Sequence, residues 1–164
     1  MNKLIVIWGL LYSCATDPTM YPPAYYGKFD PELHPYVQRY ERHLGRAVDN
    51  VYSIRLVDTI NEGPNVIGVC YRGSKLRVEI LASYFWESTP IQVETLIYHE
   101  LGHCAQGLGH NTEPLENDCP SIMYPYILAE NVLAGCWNTM TENLFDNGYS
   151  LTGCYVRDQE EVCI

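Results

Sequence analysis

The sequence predicts a single domain of the α+β class. Three observations lead there. A helical periodicity is followed by clustered β-rich runs and then by further helical patterns, instead of a regular strand–helix alternation. The 164 residues fit one folding unit. Hydrophobic residues make up 47% of the chain, enough for a packed core and too many for a disordered chain.

Charge narrows the function classes. The formal net charge is −10, from 20 acidic and 10 basic residues, which argues against nucleic acid as a partner because phosphate binding needs a basic footprint. Fourteen Tyr against three Phe favour amphipathic surfaces with polar tips.

Residues 1–13 read as a signal peptide. Lys3 precedes an apolar run from Leu4 to Leu11, interrupted by Gly9. The run is too short for a bilayer, which takes about 20 apolar residues, and it fits a secretory core of about 7–15. Leu11-Tyr12-Ser13-Cys14 resembles the lipobox of bacterial lipoproteins, although Tyr12 is bulkier than the residue usual there. That resemblance implies cleavage before Cys14 and acylation of Cys14. The alternatives are an ordinary signal peptide cut nearby and a buried N-terminal strand. The expected location is the cell envelope, with a lipid anchor as the sole membrane attachment, or secretion if no lipid is added. Residues 14–30 carry Pro18, Pro22, Pro23 and Gly27 and read as an extended tether, with a strap packed on the domain by its tyrosines as the alternative. Residues 31–164 form the folded domain, expected to be a monomer.

Within that domain, Leu33, Tyr36, Val37, Tyr40 and Leu44 mark one helix face from Pro31 to about Ala47. Asp30 is the expected N-cap, Pro31 the first helical residue and Gly45 the stop. Val51–Ile60 has β-branched residues near period two. Val66–Tyr71 and Lys75–Leu81 flank Arg72-Gly73-Ser74 and predict a hairpin. A second helix starts at Thr89-Pro90-Ile91-Gln92, with Thr89 as N-cap and Gln92 as capping-box partner. It runs through His99-Glu100-Leu101-Gly102-His103 towards Gly107. Residues 110–136 look irregular, and a short last helix is expected at Thr139–Asp146.

Three of the five histidines, His99, His103 and His110, fall within twelve residues. Residues four apart share a helix face, so His99 and His103 can aim at one metal ion. Glu100 can then reach a metal-activated water without ligating. A turn at Gly107 returns His110 as third ligand and leaves the fourth position of a zinc ion open, the catalytic arrangement. His34 and His43, on the first helix, read as surface or capping residues.

Ser121-Ile122-Met123-Tyr124-Pro125 completes a pattern that resembles the metzincin family of zinc metallopeptidases, and its matrixin-type members in particular. That family carries HExxHxxGxxH followed by a Met-containing turn. The resemblance covers about residues 89–125. It implies a small, mixed, twisted sheet with a long active-site helix and a C-terminal helix. It maps His99, His103 and His110 to the zinc ligands, Glu100 to the general base and Met123 to an apolar floor beneath the metal. One departure stands. Three residues (Cys104, Ala105, Gln106) separate His103 from Gly107, where the family has two, and this keeps Glu113 and Asp118 open as alternative third ligands. Tyr124 and Tyr126 are expected in the wall of the specificity pocket.

The implied function is zinc-dependent endopeptidase activity, in which Glu100 assists a zinc-bound water. The substrate is expected to lie extended along Lys75–Leu81. The competing readings are a catalytically silent zinc-binding lipoprotein and a disulfide-stapled interaction module. Seven Cys fit this picture: with Cys14 acylated, six remain for three disulfides in an oxidising compartment. A Cys104–Cys119 bridge is one expectation, because it would clamp the loop carrying His110.

Overall fold

In the computed structural model, residues 28–146 are described, together with the backbone of 154–157 and 160–163. Residues 1–27, with the segment expected to be a signal peptide, Cys14 and nearly all of the expected tether, lie outside the described residues. The chain is a mixed α+β fold.

A 3₁₀ turn at Pro31–Leu33 leads into α1, His34–Leu44, which Gly45 ends with a left-handed φ of 72°. Leu33, Val37 and Tyr40 are fully buried on the predicted face. Asp30 makes no helix-capping bond. Its carboxylate instead accepts the Leu56 backbone N–H at 2.7 Å and pairs with Arg55 at 3.2 Å, fastening the entry to α1 onto the first strand. His34 lies within 3.1 Å of the Phe29 carbonyl, and His43 is exposed.

The first strands are β1, Val51–Val57; β2, Gly68–Arg72; and β3, Leu76–Leu81. The predicted hairpin is the antiparallel pair β2–β3. After β3 a short helix not foreseen from the sequence, α2, covers Ala82–Glu87. Two further strands, β4 (Cys154–Arg157) and β5 (Glu160–Cys163), complete a mixed sheet of order β1-β3-β2-β5-β4. This order overturns one expectation. β3 pairs with β1 in parallel and with β2 in antiparallel, so Lys75–Leu81 sits inside the sheet and offers no edge to a substrate. Alternating hydrophobicity marks a strand but does not name its neighbours.

The helix α3, Pro90–Leu101, starts where the capping pattern placed it. The Thr89 N–H donates to Gln92 at 3.2 Å, and the reciprocal bond closes the box. Its buried residues Val93, Leu96, Ile97, Tyr98 and Leu101 pack with the sheet and α1 into one core. Arg39 on α1 pairs with Glu94 on α3 at 2.6 Å.

The last helix, α4, spans Glu130–Asp146 and begins nine residues before the expected start at Thr139. Leu133, Met140 and Leu144 are buried along it, spaced seven and four apart. Gly135 in the first half weakens the local helical signal, and tertiary burial overrides it.

Candidate metal centre

Three ring nitrogens converge at the end of α3. The Nε2 atoms of His99 and His103 are 3.0 Å apart, and those of His103 and His110 are 3.2 Å apart. Among the described residues these three form a group able to hold one metal ion, their ligand atoms all within 4.8 Å of one another. Nitrogens bound at about 2.0–2.1 Å to one tetrahedral ion stand about 3.3 Å apart. The spacing therefore fits a single shared ion.

Backbone carbonyls set the direction of two rings. His99 Nδ1 donates to the Ile122 carbonyl at 2.8 Å, and His103 Nδ1 donates to the Leu108 carbonyl at 2.7 Å. With the proton held on Nδ1, the lone pair of each neutral ring is on Nε2, facing the cluster. Burial adds to this. It lowers the His99 pKa to about 4 and the His103 pKa to about 2, and it lowers that of His110 as well. All three rings are neutral at physiological pH, the form a metal needs.

The three residues between His103 and Gly107, one more than the resembled pattern has, lie in a distinct local structure. At Gly102 the α-helix gives way to a π-helical turn, Gly102–Gln106. Such a widened turn holds one residue more than an α-helical turn. Leu108 N–H donates back to the Gly102 carbonyl at 3.0 Å. Gly107 then reverses the chain with φ 74°, a conformation that favours glycine. His110 reaches the cluster, whereas Glu113 and Asp118, the two alternatives, are exposed and lie outside it.

The segment around Met123 packs against the end of the metal helix. Met123 is fully buried, and its N–H donates to the Ser121 hydroxyl at 3.0 Å. A side chain at Gly102 would meet Met123 Sδ at 2.5 Å, so this glycine lets the methionine rest against the helix backbone. The Met123 carbonyl accepts the Asn111 N–H at 2.9 Å, which ties the turn to the loop carrying His110.

Glu100 is 2% exposed, and its Oε2 is buried with no hydrogen-bond partner. Burial pushes its pKa well above the usual carboxyl range. An orphaned buried carboxylate oxygen beside three converging imidazoles is unfavourable unless a ligand or water completes it. The donor set and the orphan together fit a metal ion with an accompanying water.

The site opens into a cleft of about 730 Å³. Asn65, Val66, Ile67 and Gly68 form one wall, and Tyr124, Pro125, Tyr126 and Ile127 line it from the segment after Met123. Glu100 is the only Asp, Glu, Lys or Arg among the lining residues.

Two disulfides brace this region. Cys70–Cys104 joins β2 to the π-helical turn, and Cys119–Cys136 joins the approach to the Met-turn to α4. The expected Cys104–Cys119 bridge does not form, because Cys104 faces the sheet and is already paired with Cys70. The sequence reading missed the carbonyls of Ile122 and Leu108, and it missed Gly68 and Gly102. Backbone acceptors carry no side-chain signature, but a glycine inside a strand pattern and another between Glu100 and His103 were visible signals.

Comparison of the chain with protein-family models, with curated proteins and with solved structures returns no match.

Proposed function

We propose that this protein is a zinc-dependent endopeptidase of the metzincin type. The observation that carries the reading is the convergence of His99, His103 and His110 with the buried Glu100 carboxylate, whose Oε2 has no hydrogen-bond partner, at the edge of an apolar cleft. Met123 beneath the helix supports the family assignment.

When bound, zinc would polarise the scissile carbonyl and lower the pKa of a water towards neutrality. The three imidazoles would hold the ion through Nε2. Glu100, made more basic by burial, takes a proton from the attacking water and passes it to the leaving amine. The apolar lining, from Leu96 and Ile122 to Leu133, would accept a bulky apolar side chain of the substrate. The wall at 65–68 replaces Lys75–Leu81 as the segment an extended peptide would follow. Among the described residues, β5 covers β2 only at Cys70–Arg72, beyond that wall. Two disulfides support an oxidising, exported setting, in which Cys14 would serve as the anchor.

The test compares wild type and Glu100→Ala on a peptide library, with metal content measured on both. Wild-type cleavage is expected to be chelator-sensitive. The variant is expected to retain the metal and to lose about 10²–10⁴-fold in rate. Full activity in metal-loaded Glu100→Ala would refute the mechanism.

A further inference from the structure

Gly68 opens β2 directly above the general base. A Cβ placed there would stand 2.7 Å from Glu100 Oε1, 2.8 Å from Leu96 Cδ1 and 3.0 Å from Glu100 Cγ. The Gly68 backbone lies outside the left-handed region, so any residue could adopt it. Its conformation therefore does not call for glycine, and a glycine inside a strand weakens the sheet. What calls for glycine is space: the strand and the carboxylate approach too closely for a methyl group between them.

The same glycine belongs to the cleft wall formed with Asn65, Val66 and Ile67. β2 is also locked in place. It is paired to β3 through Gly68 and Ile80 and bridged to the π-helical turn by Cys70–Cys104. Glu100 stands on α3 and its buried side chain reaches up to this strand, so a side chain at 68 would have to be met by a shift of the carboxylate.

We infer that Gly68 is a positioning residue, whose missing side chain lets the substrate-side wall close onto the Glu100 carboxylate and seat it beside the histidines. Its catalytic consequence rests on the peptidase reading. The contact itself does not. An alanine would force the carboxylate from 2.7 Å out to the 3.4 Å of ordinary contact, about 0.7 Å. Displacements near 1 Å at a reacting group can cost about 100-fold in rate.

The experiment uses the full chain in four forms: wild type, Gly68→Ala, Glu100→Ala and the double variant. In chelated protein, Gly68→Ala is expected to lower the Tm. Most of that loss should disappear in the Glu100→Ala background, because two of the three close contacts are with Glu100. An equal Tm loss in both backgrounds would overturn the inference. In metal-loaded protein, kcat of Gly68→Ala is expected to fall about 10- to 100-fold, with KM and metal affinity within about twofold of wild type. Unchanged kcat in a cleaving wild-type background would also overturn it. If wild type binds metal but cleaves nothing, the peptidase reading fails and the Tm cycle alone decides the role of Gly68. Should Gly68→Ala not fold, Gly68→Ala/Leu96→Val relieves the 2.8 Å contact and carries the same expectation for kcat.

Discussion

Replacing Cys70 and Cys104 together by alanine tests how the metal helix is held against the sheet. The two cysteines are 34 residues apart and both are buried. Closing a loop of that length in the unfolded chain is worth about 4 kcal/mol in the chain-entropy model. For a domain of this size, each kcal/mol shifts the Tm by about 2–4 °C, so the double variant should melt about 8–16 °C lower. Metal affinity should change less, within about tenfold, because the His103 ring keeps its Nδ1 bond to the Leu108 carbonyl, and such bonds orient metal-ligating histidines. Calorimetry of the chelated protein gives the first quantity, and titration against a competing chelator gives the second. A Tm within about 3 °C of wild type would refute the reasoning, since it would mean that this bridge contributes under about 1.5 kcal/mol.

Three further outcomes are expected. His110→Ala should weaken metal binding at least tenfold, at the scale on which even supporting residues act, while Glu113→Ala and Asp118→Ala leave it unchanged; isothermal titration separates them. Met123→Ala should cost about 2–5 kcal/mol in urea unfolding and Met123→Leu under about 1.5, because the side chain is fully buried against Gly102. Chelated protein should lose stability on acidification. Burial lowers the His99 and His103 pKa values to about 4 and about 2, and it lowers that of His110, whereas Glu100 is raised and works in the opposite sense. Between pH 6.5 and 5 the unfolded chain thus binds more protons than the folded one. The fall should be shallow near pH 6.5, where Glu100 offsets the half-protonated unfolded histidines, and steepen towards about 1.4 kcal/mol per pH unit near pH 5. Urea midpoints that stay flat across that window would contradict the sign.

Much of the site was legible because its geometry is local. The spacing of His99, Glu100 and His103 needs only a helix to act, and Thr89, Pro90 and Gln92 announce that helix. Gly107 and His110 could be read as a turn and a returning ligand. Other features were not legible, because they depend on partners distant in sequence. The place of β3 inside the sheet follows from pairing with β1 and β2 on opposite sides. The Cys104 partner is 34 residues upstream on β2, not in the nearby loop. α4 begins at Glu130 because Leu133 finds a buried site against the core, which outweighs the weak local propensity around Gly135.

By itself, the sequence determined which side chains could ligate, which carboxylate stands beside them and that a methionine turn follows, since periodicity and spacing fix neighbours within one element. The tertiary structure decided what surrounds them. It set Gly102–Gln106 in a π-helical turn, aimed two imidazoles with backbone carbonyls and brought Gly68 down onto Glu100. Those are matters of close approach between separate elements, and close approach is set by how the core packs.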